Sequence, residues 1–237
     1  MEIGGGYGSL MKGLLGAYSP LIRHVFMLDL SKKLLNVQRK KLRHWKNLIS
    51  FINADATEIM DGLQNIDLII LNEMIGDLPT WMNLDAQNLP NDAAELVEKY
   101  ELEIPGKGLF NLNISAIKIM EQVCKKGIPA FLSEHSSDPI IPEAMEFLKD
   151  GVTLNGFPRE IKLFGHSEFT IRFSHLIKVA DAFGRKAATG SLADLVGIKN
   201  TEQMRFIFTS RACATEEQEI IFELLDHIRE YRWLVIH

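Results

Sequence analysis

The stretch MEIGGGYGSL, residues 1–10, decides how the rest of the chain is read. Four of the five residues from 4 to 8 are glycine, directly after an acid and an isoleucine. Without a Cβ, glycine lets main chain approach a ligand closely and take positive φ. A glycine-rich turn between a first strand and a first helix is therefore the mark of a cofactor site. The dinucleotide spacing G-x-G-x-x-G does not fit. From Gly4 its third glycine falls on Ser9, from Gly5 its second and third fall on Tyr7 and Leu10, and from Gly6 its third falls on Met11. The spacing that fits is E-x-G-x-G-x-G, on Glu2, Gly4, Gly6 and Gly8, with Gly5 between them.

The chain has 237 residues and 46% hydrophobic content, enough to bury a core in one large domain, and we read 1–237 as one. A net charge of −5 argues against a general nucleic-acid coat. Cys124 and Cys213 form no close-spaced pair, which suits a reducing, cytoplasmic setting. No apolar run reaches the ~18–20 residues that span a bilayer, and no signal peptide opens the chain, so no membrane partner is expected.

Apolar runs and helical patterns alternate through the first half. Strands are expected at 1–3, 24–30, 48–53 and 66–71, and helices at 9–18, 32–45 and 57–63. This alternation implies right-handed crossovers and a mostly parallel α/β sheet with helices on both faces. Residues 76–108, with Pro79, Pro90 and Pro105, read as a loop-rich insertion with one helix at 92–100. A helix at 113–126 and a fifth strand at 128–133 follow. Helices are expected at 173–183 and 216–231, and a strand at 203–209.

Polar groups close the early strands in order. Asp29 ends the second strand and is followed by Leu30, at about the ~20-residue distance from the glycine turn where a carboxylate meets ribose hydroxyls. Asp55 and Ala56 follow the third strand, beside an adenine, and Asn72 and Glu73 close the fourth. Ligands of open α/β sheets bind at that edge. Helix capping is the plainer role for Asp29 and Asp55, and bracing of the NEMIGD turn is the plainer role for Glu73.

The E-x-G-x-G-x-G turn resembles the first motif of S-adenosylmethionine-dependent methyltransferases. NEMIGDLP, residues 72–79, is similar to a segment of the MidA family within that class. EIGGGYGSLMKGLL, LDLSKKLLNVQRKKL and ATGSLADLVGI resemble other segments of the same family. The resemblance implies a Rossmann-like class I fold, S-adenosylmethionine as cofactor (S-adenosylhomocysteine as product), and a protein substrate methylated on arginine. It implies that Glu2 and Gly4, Gly5, Gly6 and Gly8 shape the cofactor turn and that Asp29 holds the ribose. It further places Asp55 near the adenine, Asn72 and Glu73 at the transferring methyl, and Asp77 and Pro79 at the substrate entrance.

Two departures stand out. Family members carry a segment before the glycine turn, whereas residues 1–3 alone precede it here, which leads us to expect a longer natural N-terminus. After the fifth strand the family tends to Asp-Tyr-Gly; here LSEHSS, residues 132–137, adds His135 as a second possible base at the entrance. These departures motivate the alternative, a non-catalytic binding or assembly protein on the same fold. The basic helix at 32–46 could meet RNA or an acidic protein, though a solvated face is its default, and nucleic acid is not an expected partner. Homo-oligomerisation would complete an open sheet edge. The histidines show no ligand spacing along the chain, so no metal is assigned.

Overall fold

The computed structural model describes residues 1–59, 62 and 64–237. In chain order, β1 (Glu2–Ile3), α1 (Ser9–Tyr18), β2 (Val25–Asp29), α2 (Lys32–Lys41), β3 (Ile49–Asn53), α3 (Ala56–Ile59) and β4 (Ile69–Asn72) alternate. A ribbon of β5 (Trp81–Asp85) and β6 (Leu109–Leu112) brackets α4 (Asn91–Lys99). Then come α5 (Ile114–Lys126), β7 (Ala130–His135), the hairpin β8 (Glu160–Leu163) and β9 (His166–Phe169), and α6 (Phe173–Ala182). The chain closes with β10 (Ala187–Ser191), α7 (Leu192–Leu195), α8 (Glu202–Ser210), α9 (Glu216–Ile228) and β11 (Tyr231–Ile236).

Seven strands form one sheet in the order β10-β11-β7-β4-β1-β2-β3. β1, β2, β3, β4 and β7 are parallel, while β11 runs antiparallel to both β7 and β10. The mostly parallel α/β expectation holds. β1 is central despite its length, because main-chain bonds extend its pairing at both ends. Ile70 N–H donates to Met1 O (2.9 Å) and Gly4 N–H to Leu28 O (2.8 Å).

Alternation of side chains divides the core between the two faces. Ile3, Leu28, Ile69 and Leu71 join the apolar sides of α5 and α6 on one face. Val25, Met27 and Ile70 join Met11 and Leu15 of α1 on the other. Successive strands run outward from β1 in opposite directions, to β2 and β3 on one side and to β4 and β7 on the other. The crevice for a ligand opens at the carboxyl ends of the strands at that reversal.

The second half corrects several expectations. Residues 203–209 belong to helix α8, not to a strand; Thr201 Oγ1 accepts the Met204 N–H and caps it. The helix expected at 216–231 stops at Ile228, and Tyr231 starts β11. The 76–108 insertion is less loop-like than expected, since β5 pairs with β6 beyond it. β4 begins at Ile69, and Asp67 lies outside the sheet paired with Arg23 at 2.9 Å. Of the helix expected at 57–63, residues 60, 61 and 63 lie outside the described residues.

One buried group on α6 gives the fold a pH dependence. His175 is 2% exposed, and its Nε2 lies 2.8 Å from Glu103 O. A carbonyl only accepts, so Nε2 carries the hydrogen. Nδ1 has no partner among the described residues, and burial lowers the pKa to about 4. The unfolded chain binds this proton near 6.5 and the folded chain only near 4. Stability contributed by His175 therefore falls as pH drops from 6.5 towards 4. In thermal melts over that window, His175→Gln, which keeps a donor for Glu103 O, should show a shallower loss than the wild type. Parallel curves would remove His175 from this dependence.

Candidate functional site

A cavity of about 1090 Å³ opens at the carboxyl ends of β1, β2, β3 and β4. That is just above the ~300–1,000 Å³ usual for small-molecule sites. Gly4 and Gly6 form its floor, Asp29 and Leu30 one side, and Asp55 and Ala56 the next. Glu73, Asp77 and Pro79 line it from the loop after β4. Glu2, Gly5, Gly8, Asn72 and His135 are not among the lining residues.

Each glycine in the turn has its own reason. Gly4 has φ +65, and a Cβ there would lie 2.6 Å from Met74 Cβ. At Gly5 a Cβ would come within 3.0 Å of the Glu2 carboxyl. Gly6 has φ +47 and nothing within 4 Å of its Cβ position, so its bare main chain faces open cavity. Gly8, at φ 74, is the N-cap of α1 and packs over Gln38. The bend thus leaves Gly6 facing the cavity with no side chain over it, while its carbonyl is held by Gln38 Nε2 at 2.9 Å. Glu2 is buried beneath it, and burial raises its pKa to about 7. Its Oε2 has no partner among the described residues.

Asp29 is not the cap of α2. That cap is Ser31, whose Oγ accepts the Leu34 N–H at 3.3 Å. Asp29 Oδ1 accepts the Ser31 N–H (2.8 Å), and Oδ2 accepts from Gln38 Nε2 (3.1 Å). The carboxylate is held in place while its residue lines the cavity. Asp55 makes the capping bonds and also lines the cavity: its Oδ1 accepts from Thr57 N (2.8 Å) and Thr57 Oγ1 (2.6 Å) at the start of α3.

The loop after β4 assigns the bracing role to a residue the sequence reading passed over. Gly76 N–H and His135 N–H donate to the Glu134 carboxyl at 3.1 and 3.0 Å. Burial pushes Glu134 up to about 8, and the Glu168 and Glu73 carboxylates add to it. Glu73 makes no side-chain hydrogen bond or ion pair among the described residues, and its φ of 49 is costly for a residue with a side chain. Asn72 Oδ1 accepts from Ser133 Oγ (2.6 Å), behind Glu73. Asp77 sits at the mouth with His166 (3.6 Å) and Glu168, three ligand-type atoms within 4.8 Å that the chain spacing did not predict. Partial burial raises the pKa of Asp77, and the His166 ring opposes it.

His135 is not in a solvated loop but at the end of β7, 7% exposed. Its ring lies 4.3 Å from that of Tyr231 and 4.9 Å from that of His227. Burial, then His227 and Arg159, lowers its pKa to about 4. The unusual LSEHSS segment leads into a structural hub. Asp138 accepts the Phe173 and Ser174 N–H groups at 2.8 Å each, at the start of α6, and pairs with Arg232 at 3.2 Å.

The far wall comes from α5, through Ser115, Lys118, Ile119, Glu121 and Gln122. Sequence reasoning missed these residues because nothing local on α5 marks its cavity side. Lys118 is the one basic side chain among the lining residues, against Asp29, Asp55, Glu73, Asp77 and Glu121. Glu121 is neutralised by Lys99 and Lys125.

Residues 1–87, from β1 through β5, match the family described as a methyltransferase domain. The fold is similar to that of a COG1565 superfamily member from Burkholderia thailandensis, solved bound to S-adenosylhomocysteine. That match has a TM-score of 0.61 and 16% identity over 100% of this chain and 70% of that one. It is also similar to the methyltransferase domain of bacterial CtHen1, with a TM-score of 0.52, 12% identity, and 99% and 86% of the two chains covered. An O-methyltransferase family protein from Burkholderia thailandensis aligns at TM-score 0.49 and 10% identity over 100% of this chain, which spans 49% of that protein. No curated protein matches the sequence. Among the described residues no helix is long and apolar enough to cross a membrane.

Proposed function

We propose that the chain is an S-adenosylmethionine-dependent methyltransferase that binds its donor in the cavity over Gly6 and Asp29 and methylates an acceptor held at Glu73. One observation carries this: the open main chain of Gly6, the braced Asp29 carboxylate and the unbonded Glu73 carboxylate all meet on a single cavity. The methyltransferase-domain match over residues 1–87 and the class I strand order support it.

The residues present suit the donor. A donor of net positive charge, with an aromatic base and a sugar, fits a cavity whose acids outnumber its single lysine. Its volume leaves room for part of an acceptor. S-adenosylmethionine supplies a methyl group already activated on a sulfonium. The chain's own task is to position and to move a proton. Gly6 admits the donor close to the main chain, Asp29 accepts hydrogen bonds from sugar hydroxyls, and Leu30, Asp55 and Ala56 flank the base. Asn72, held by Ser133, stands beside Glu73. Glu73 pairs with the acceptor's nitrogen and takes its proton.

The acceptor class follows the MidA resemblance: an arginine of a protein, whose guanidinium pairs with a carboxylate in bidentate fashion. In this reading residues 1–237 act as one domain and the 76–108 insertion caps the crevice. Incubation with methyl-labelled S-adenosylmethionine and a cell extract, followed by mass spectrometry, tests it. Label on arginine nitrogens of a protein is the expected result. Label confined to RNA or small molecules would overturn the acceptor, and donor binding with no label anywhere would favour the non-catalytic alternative.

A further inference from the structure

Gln38 lies on α2, where it shares the buried side of the helix with Leu35, and it is the one polar side chain of that helix that is fully buried. Its Nε2 donates to Gly6 O (2.9 Å) and to Asp29 Oδ2 (3.1 Å). Both partners are pure acceptors, so the amide nitrogen must face them, and the orientation of the side chain is fixed by chemistry. Its stem also packs against Gly8, where a Cβ would lie 3.4 Å from Gln38 Cγ. A single side chain thus joins three points 32, 30 and 9 residues away in sequence: Gly6, Gly8 and Asp29. Gln38 does not line the cavity.

We propose that Gln38 is a positioning residue that locks the glycine turn and the Asp29 carboxylate into one donor-binding unit. It rests on the donor reading above. Two flexible parts must otherwise be ordered when the donor arrives. The turn owes its shape to glycines with positive φ, and a carboxylate at a strand end is free to rotate. Holding both in advance removes that ordering cost from binding. The hydrogen bond to Asp29 is charge-assisted, the stronger kind, and is buried. The Ser31 N–H fixes the other oxygen, so the carboxylate is gripped from two sides with its remaining lone pairs available.

Calorimetric binding of S-adenosylhomocysteine to the full chain is the test, with thermal melts to confirm folding. Gln38→Leu should bind about tenfold more weakly or worse, the value of one lost hydrogen bond to a charged group. In the Asp29→Ala background the same change should cost much less, because its main partner is gone. Gln38→Glu keeps the shape but sets a carboxylate against Asp29 and Gly6 O. Its affinity relative to wild type should recover as the solution is taken from mildly alkaline to mildly acidic, where the introduced carboxyl, once protonated, can donate to Asp29. A purely structural role predicts no such recovery. Equal affinity of wild type and Gln38→Leu, full additivity with Asp29→Ala, or a flat pH ratio for Gln38→Glu would each overturn the inference. Failure of the wild type itself to bind would instead overturn the donor reading.

Discussion

Asp29→Ala should bind S-adenosylmethionine about ten- to a hundredfold more weakly than the wild type. The carboxylate lines the cavity and is oriented by Ser31 N–H and Gln38 Nε2, so what is lost is a preset acceptor for sugar hydroxyls. A hydrogen bond to a charged group contributes about 1.5–3 kcal/mol, and about 1.4 kcal/mol is a factor of ten. The variant also leaves the buried Gln38 amide with one acceptor fewer, so its melting temperature should fall. Calorimetry should therefore be run well below that temperature. Asp29→Asn is the control, since it keeps an acceptor oxygen while removing the charge, and it should fall between the two. Unchanged donor affinity in Asp29→Ala would take this residue out of the site.

Glu73→Gln should lower turnover by roughly 10²–10⁴-fold, the usual contribution of a placed general base. Donor affinity should stay close to that of the wild type. The separation follows from the geometry: Glu73 makes no side-chain bond that holds the loop among the described residues, because Glu134 braces Gly76 and His135 instead. Backbone strain adds a second signature. With φ at 49, Glu73 sits where residues with a Cβ lose on the order of 1 kcal/mol or more. Glu73→Gly should thus raise the melting temperature while abolishing turnover, as expected of a residue retained for chemistry at the expense of stability. If Glu73→Gln turned over normally, the proton would have to leave by another route. If Glu73→Gly were less stable than the wild type, the strain reading would fail.

The first half of the fold was legible because each parallel strand announces itself as an apolar run and each crossover helix as a 3.6-residue pattern. α1 matches its expected limits, Ser9–Tyr18. The glycine turn was legible because only bare main chain fits under Met74 and over Glu2. The second half was harder because antiparallel strands and short helices carry weaker signals. QMRFIFT alternates like a strand, yet Thr201 caps it as α8 and Ile207 and Phe208 bury a helical face. YRWLVI alternates too, with Arg232, Leu234 and Ile236 buried, but the preceding helical pattern ran into it and hid the start of β11.

The site followed the same division. Gly4, Gly6, Asp29, Asp55 and Glu73 could be named because they close or follow strands at one sheet edge, where topology alone brings them together. His135 also ends a strand, β7, but its ring turns into the Tyr231 and His227 pair instead of the cavity. The choice between bracing and exposure at Glu73 and Glu134 depended on which carboxyl faces the Gly76 N–H, a matter of tertiary packing. Gln38 gave no local hint of what it reaches, since neutral Asn36 and Val37 precede it on α2. The α5 wall gave none.

Calorimetric titration of the wild-type chain with S-adenosylhomocysteine, alongside NAD, tests the central claim most directly. One-to-one binding of the sulfur nucleoside with no heat from the dinucleotide is the predicted outcome. A folded protein that ignores S-adenosylhomocysteine, or takes up NAD in its place, would contradict it.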